Sequence, residues 1–161
     1  MSFYQGNFSQ RFGVMGDIAE TAFERFEPRH HRLGYNRPPF QTTKLPLMLR
    51  CIPDYMTRDG MTEVMGIGRD KTLKLKVEKL RSLTQWLLVA PVSLFVYDSS
   101  RKKCWLAPIA DWEIACAEHG VFDRFHDDNR AFIRLSSDNF PCEGVKLDGE
   151  QGVQQPNITA L

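Results

Sequence analysis

A chain of 161 residues with 42% hydrophobic and 25% charged side chains can bury a core of its own and reads as one globular unit. Twenty-one Lys and Arg against twenty Asp and Glu leave a net charge of +1, which excludes a global polycation, so any affinity for nucleic acid must come from a local patch. No apolar run reaches the ~18 residues of a membrane span, and the polar, aromatic start shows no apolar leader core, so neither a membrane anchor nor a secretory leader is expected.

Residues 1–15 lack periodicity and read as an N-terminal arm. Asp17, with Glu20 three positions on, resembles a capping box and predicts a helix start there; Ile18, Ala22 and Phe26 form its apolar stripe, and Pro28 stops it. The stretch 29–46 is broken by Gly34, Pro38, Pro39 and Pro46 and reads as a loop with a short strand. The run LMLRCIPDYMTRDGMTEVMGIG then predicts a hairpin about Asp59-Gly60, a dipeptide favoured in type I′ turns. Over 71–88 the spacing of Leu73, Val77, Leu80 and Leu87 predicts a helix. Strands at 92–97 and 104–109 flank a polar turn at 98–103. A helix capped by Asp111 runs to His119 and stops at Gly120, and a last strand falls at 132–135. The expected organisation is an arm (1–15), a single domain (16–142) and a flexible tail (143–161). The expected fold class is α/β (α+β), with a small mixed sheet flanked by helices.

The hairpin carries the chemistry. With Asp59 and Gly60 as loop residues, Met56 opposes Glu63 and Asp54 opposes Met65. Asp54, Met56, Glu63 and Met65 then share a face. Two carboxylates at that spacing can share a divalent cation, and a slip of one residue would separate them. Acidic residues on a solvated hairpin face are the ordinary alternative.

Pro53-Asp54, the hairpin, and then Glu63-Val64-Met65 resemble the signature of the PD-(D/E)XK nucleases. The longer run PDYMTRDGMTEVMGIGRDKTLKLKVEKLRSL resembles phage Holliday-junction resolvases of the endonuclease I type, over about residues 15–120. The resemblance implies a restriction-endonuclease-like fold. It also implies metal-dependent hydrolysis of phosphodiester bonds in branched DNA with Mg²⁺ or Mn²⁺, and a homodimer, since two sites are needed to cut a junction. A phage-encoded protein of this type would work in the host cytoplasm. The implied metal ligands are Asp54, Glu63 and the Val64 carbonyl. Asp54, Glu63 and Glu20 are the implied catalytic residues, Glu20 coming from the first helix. One departure is plain: the family has lysine where this chain has Met65, and methionine carries neither charge nor proton. Met65 is engineered, or Lys71 or Lys74 takes over the role, or the protein binds without cutting.

Around the acidic pair lie two basic groups, Arg69, Lys71 and Lys74 after the hairpin and Arg101, Lys102 and Lys103 in the later turn. Both are candidates for phosphate contact, against the plain alternative of a solvated surface. His30, His31, His119 and His126 lack metal-ligand spacing, Gly66-Ile67-Gly68 is no dinucleotide fingerprint, and Trp86, Trp105 and Trp112 read as core. Cys51, Cys104, Cys116 and Cys142 lack CxxC spacing and read as reduced thiols, mostly core. Two functions therefore stand at this point: a structure-selective DNA endonuclease, and a non-cutting nuclease-fold module that binds nucleic acid or protein, as in virion assembly or host-defence inhibition.

Overall fold

The computed structural model describes residues 8–35, 38–126 and 129–147. Four α-helices and nine strands follow in the order α1 (Phe8–Phe26), β1 (His30–Arg32), α2 (Leu47–Arg50), β2 (Tyr55–Thr57), β3 (Gly60–Ile67), β4 (Thr72–Lys76), α3 (Val77–Trp86), β5 (Val92–Asp98), β6 (Lys103–Pro108), α4 (Ile109–His119), β7 (Val121–Arg124), β8 (Ala131–Ser136) and β9 (Val145–Lys146). Six strands form one mixed sheet in the order β1-β2-β3-β5-β6-β9, and β4-β8-β7 form a second, antiparallel one. Among the described residues only β3 and β5 run parallel, because the chain between them crosses over through β4 and α3. The expected mixed α/β sheet flanked by helices is what the chain forms.

The main sheet is apolar on both faces. Ala19, Ala22 and Phe23 of α1 cover one face, packing on Tyr55, Val64 and Phe95. The Phe23 ring lies 4.9 Å from Tyr55 and 5.2 Å from Phe95 between centroids, interactions worth about 0.5–1.5 kcal/mol each beyond area burial. The opposite face presents Met61, Ile67, Leu94 and Val96 to α3, α4 and the second sheet.

Three expectations about the elements change. Helix α1 begins at Phe8, not Asp17; the Asp17 carbonyl accepts the Thr21 hydroxyl at 2.9 Å, as a mid-helix residue does, and Ile18 points outward. The helix expected over 71–88 begins only at Val77. Thr72–Lys76 alternates, with Leu73 and Leu75 fully buried against β8, so period 2 wins over period 3.6 there. Val145–Lys146, expected in the tail, adds a short strand to β6. Gly120 does end α4, but at φ −75° it is needed for room: a Cβ there would sit 2.3 Å from the Cys116 carbonyl oxygen. Among the described residues no helix is long and apolar enough to cross a membrane. Cys51, Cys104 and Cys116 are buried free thiols and Cys142 is half-buried; burial pushes Cys104 up to about 12 and Cys116 up to about 11.

Candidate active site

The hairpin turns one step earlier than expected. Thr57 pairs with Gly60, Met56 with Met61 and Tyr55 with Thr62, so Arg58 and Asp59 are the loop residues. Neither has positive φ, so the turn is not type I′. Gly60 takes φ +139° instead, and a Cβ there would meet the Pro91 carbonyl oxygen at 2.3 Å. The register therefore differs from the expected one by two residues, and a shift of two leaves each side chain on its expected face. Carried one step past β2, it sets Asp54 opposite Glu63 instead of Met65.

Asp54 is pinned from both sides. Its carbonyl accepts the N–H groups of Leu33 (2.9 Å) and Gly34 (3.0 Å), and its Oδ2 accepts the Val64 N–H at 2.9 Å. That last bond ties the aspartate to the residue next to Glu63. Glu63 sits in the middle of β3, between β2 and β5, and is 2% exposed. Its Oε1 accepts from Lys79 Nζ in the first turn of α3, while its Oε2 is buried with no hydrogen-bond partner. Burial and then the charge of Asp54 push the Glu63 carboxyl up to about 8, against the pull of Lys79. Burial alone would lower Lys79, but Glu63 and then Asp54 carry it above the ordinary lysine range. The result is a buried carboxyl group whose charged form is disfavoured, a second acid facing it, and the Lys79 ammonium beside them.

Lys79 is a functional candidate that the sequence alone does not reveal. It is the lysine that pairs with Glu63, whereas Lys71 and Lys74 make no such pair. Lys71 is exposed in the β3–β4 turn at φ 55°, and Lys74 lies 3.8 Å from Asp70. The usable signal is the alternation of Thr72–Lys76. Read as a strand, it puts Lys79 in the first turn of the next helix, facing the sheet.

Glu20 lies elsewhere. It pairs with Arg32 at 2.8 Å, Arg32 donates to the Tyr55 hydroxyl at 2.8 Å, and that hydroxyl donates to Glu24 at 2.8 Å. This chain of bonds belongs to the α1 face of the sheet, whereas Glu63 and Lys79 lie on the α3 face. Glu20 thus bonds to Arg32 rather than to Asp54 or Glu63, although Arg32 also feels the charge of Asp54. Among the described residues no group of three or more His, Cys, Asp or Glu side chains is placed to hold a metal ion. The histidine next to this network, His30, packs on Phe23 and Tyr55 and lies 2.6 Å from the Glu27 carbonyl oxygen through Nδ1, a packing role.

The two basic turns meet each other, away from the acids. The Ser137 N–H donates to the Lys71 carbonyl at 2.9 Å, and Arg101 donates to the Ser137 hydroxyl at 3.1 Å. Lys71 and Lys102 both occupy the left-handed region, at φ 55° and 49°, and both are exposed. Arg101, by contrast, is committed to the buried Asp98. Lys103 stands over the Trp105 ring at 5.4 Å. The path from Glu63 to Ile67, where β3 ends near these turns, is about 13 Å at strand rise.

No protein-family model matches the sequence, and no curated protein matches it. Among solved structures, the chain is similar to Hjc of Archaeoglobus fulgidus, a Holliday junction resolvase from an archaeal hyperthermophile. The identity is 14%, covering 81% of this chain and 93% of that one, with a TM-score of 0.40.

Proposed function

We propose that this chain is a metal-dependent endonuclease of the restriction-endonuclease-like fold that hydrolyses phosphodiester bonds in branched DNA, with Lys79 supplying the charge that Met65 lacks. The observation that carries the reading is the triad of the buried Glu63 with the half-buried Asp54 and Lys79. A buried glutamate with an unpartnered oxygen costs stability and has no packing purpose. Such groups gather where chemistry needs them.

The donor set fits a hard divalent cation such as Mg²⁺ or Mn²⁺. Asp54 and Glu63 offer carboxylate oxygens, one of them unused and buried, and the Val64 carbonyl is the third implied ligand. A bound cation supplies Lewis-acid activation of water and of the phosphoryl oxygens. The chain's own part is positioning and charge. Lys79 orients Glu63 through its Oε1 and leaves Oε2 free to engage. Its ammonium also places positive charge beside the position where a phosphoryl group gathers negative charge. The exposed Lys71 and Lys102, at the far end of β3, are the cations offered to the duplex arms; two copies would cut a junction in two places. The rival reading, a binding module that does not cut, rests on Met65 and the near-neutral charge; a lysine beside the acids supports cutting against it.

The test is cleavage of a four-way junction, a duplex and a single strand, each with Mg²⁺ or Mn²⁺. The expected result is that the native chain cuts and prefers the junction. Lys79→Met should cut about 100-fold more slowly or worse, and the Met65→Lys, Lys79→Met double variant should regain most of that rate. If Lys79→Met cuts like the native chain, the lysine has no such role. If neither the native chain nor Met65→Lys cuts or binds DNA, the enzyme reading falls and a protein-binding role takes its place.

A further inference from the structure

Beside the triad stands a second charged cluster that the acidic pair does not explain. Glu78, next to Lys79 in α3, divides its carboxylate between two arginines from distant parts of the chain. Arg50 Nη2 reaches Oε2 at 2.8 Å, and Arg130 Nη1 reaches Oε1 at 3.3 Å. Arg50 ends α2, four positions before Asp54, and Arg130 precedes β8. The two arginines thus come from distant parts of the chain to the residue adjoining the triad's lysine. Ser82 further ties the Cys51 carbonyl to α3 at 3.4 Å, so the segment leading to Asp54 is fixed on the helix carrying Lys79.

Two features of the cluster are poor for a purely structural ion pair. Arg50 meets its carboxylate through a terminal nitrogen, and its Nε is buried with no hydrogen-bond partner. A guanidinium used for stability alone gains most from a two-pronged pair that satisfies such a donor. Yet Arg50 and Arg130 keep 24% and 37% of their side chains exposed, enough for a ligand to reach them. Two partly exposed guanidiniums whose terminal nitrogens are gathered on one carboxylate suit a tetrahedral oxyanion.

We infer that Arg50 and Arg130, held by Glu78, form a phosphate clamp that grips the DNA backbone beside the bond presented to Asp54, Glu63 and Lys79. Glu78 acts as a positioning residue: it holds both guanidiniums and gives way in part when phosphate oxygens bind. The inference rests on the DNA-cleaving reading above and names which residues of that site take the flanking phosphate.

The experiment measures binding of a labelled four-way junction to the full chain, with Ca²⁺ supplied, over a range of salt concentrations. Removing one phosphate-neutralising charge should lower the slope of log K against log salt by about 0.9. Arg50→Ala should therefore lower the slope by about one, and Arg50→Ala with Arg130→Ala by about two. Arg50→Lys should keep the slope while weakening binding. Glu78→Gln separates the two roles. A clamp keeps its slope in this variant, because both positive charges remain. A structural staple loses melting temperature in Glu78→Gln and Arg50→Ala alike, with the slope unmoved in both. That second pattern overturns the clamp. If the native chain binds the junction and Arg50→Ala binds it with the same slope, the clamp alone fails. If the native chain shows no salt-dependent binding, the DNA-cleaving reading fails and takes the clamp with it.

Discussion

Two carboxylates on the same face of the main sheet are buried to nearly the same degree, and they titrate in opposite directions. Asp98 ends β5 with no exposed surface, and Glu63 lies in mid-β3 with 2%. Asp98 Oδ1 accepts from the Ser100 N–H (2.8 Å), the Ser100 hydroxyl (2.6 Å) and the Arg101 N–H (3.1 Å), and Oδ2 accepts from Arg101 Nε. Burial by itself would raise its pKa, but the bonds from Ser100 and Arg101 outweigh burial and hold it below the usual aspartate range. Glu63 has one donor and faces another acid, so burial wins. Depth in the protein does not decide the state of an acid; the supply of donors does. A fully supplied carboxylate is part of the scaffold, and a half-supplied one is held ready for something else.

The comparison breaks most visibly at Asp54. Asp54→Asn should slow cleavage by at least ~1000-fold, about 4 kcal/mol of barrier, with the melting temperature unchanged or raised because the repulsion across Glu63 is gone. A melting temperature lowered by several degrees would place Asp54 in the scaffold class with Asp98.

Asp98→Asn should do the reverse, costing about 2–4 kcal/mol of stability because Arg101 loses its partner. It should also change the acid limb of the stability curve. In the native chain the unfolded state binds the Asp98 proton first as pH falls. The stability from this carboxylate is therefore present above the ordinary aspartate range and lost as pH falls through its lowered folded value. Native and variant curves should converge in acid, as denaturant titrations from pH 7 to 2 would show; parallel curves would mean the donors do not hold Asp98 ionised.

Smaller effects belong to the α1 face. A Cβ on Gly66 would lie 2.6 Å from the Met15 carbonyl oxygen, so Gly66→Ala should cost about 1–3 kcal/mol by lifting α1. Thermal melting checks this, and an unchanged transition would show that α1 adjusts freely. Smallest is Arg32→Ala, which opens a part-exposed pair with Glu20 and should cost about 1 kcal/mol or less, with cleavage unaltered. A drop in cleavage there, or in Glu20→Gln, would bring Glu20 back to the catalytic group.

The acidic pair is legible in the sequence because a two-residue periodicity tolerates a two-residue error. The dipeptide Asp59-Gly60 points to a turn there and the turn lies at Arg58-Asp59, yet Asp54 and Glu63 share a face under either register. Lys79 is not legible, for a related reason. Leu73 and Val77 satisfy both the strand and the helix spacing, and only pairing with β8 decides between them. Strand β7 gives no signal at all, since Val121–Arg124 is exposed along its whole length and has no buried face to pattern. Glu20 misleads because Asp17 and Glu20 imitate a helix start in the middle of a longer helix.

The crossover between β3 and β5 has a consequence for the order of assembly. The Asp54–Glu63 hairpin is local in sequence and can close early, but Lys79 rides on the segment that must swing across before β5 can pair. A chain caught before that step holds two facing acids without their counter-charge. The counter-charge therefore arrives with the crossover rather than with the hairpin, and the two acids and the lysine come together only in the closed fold.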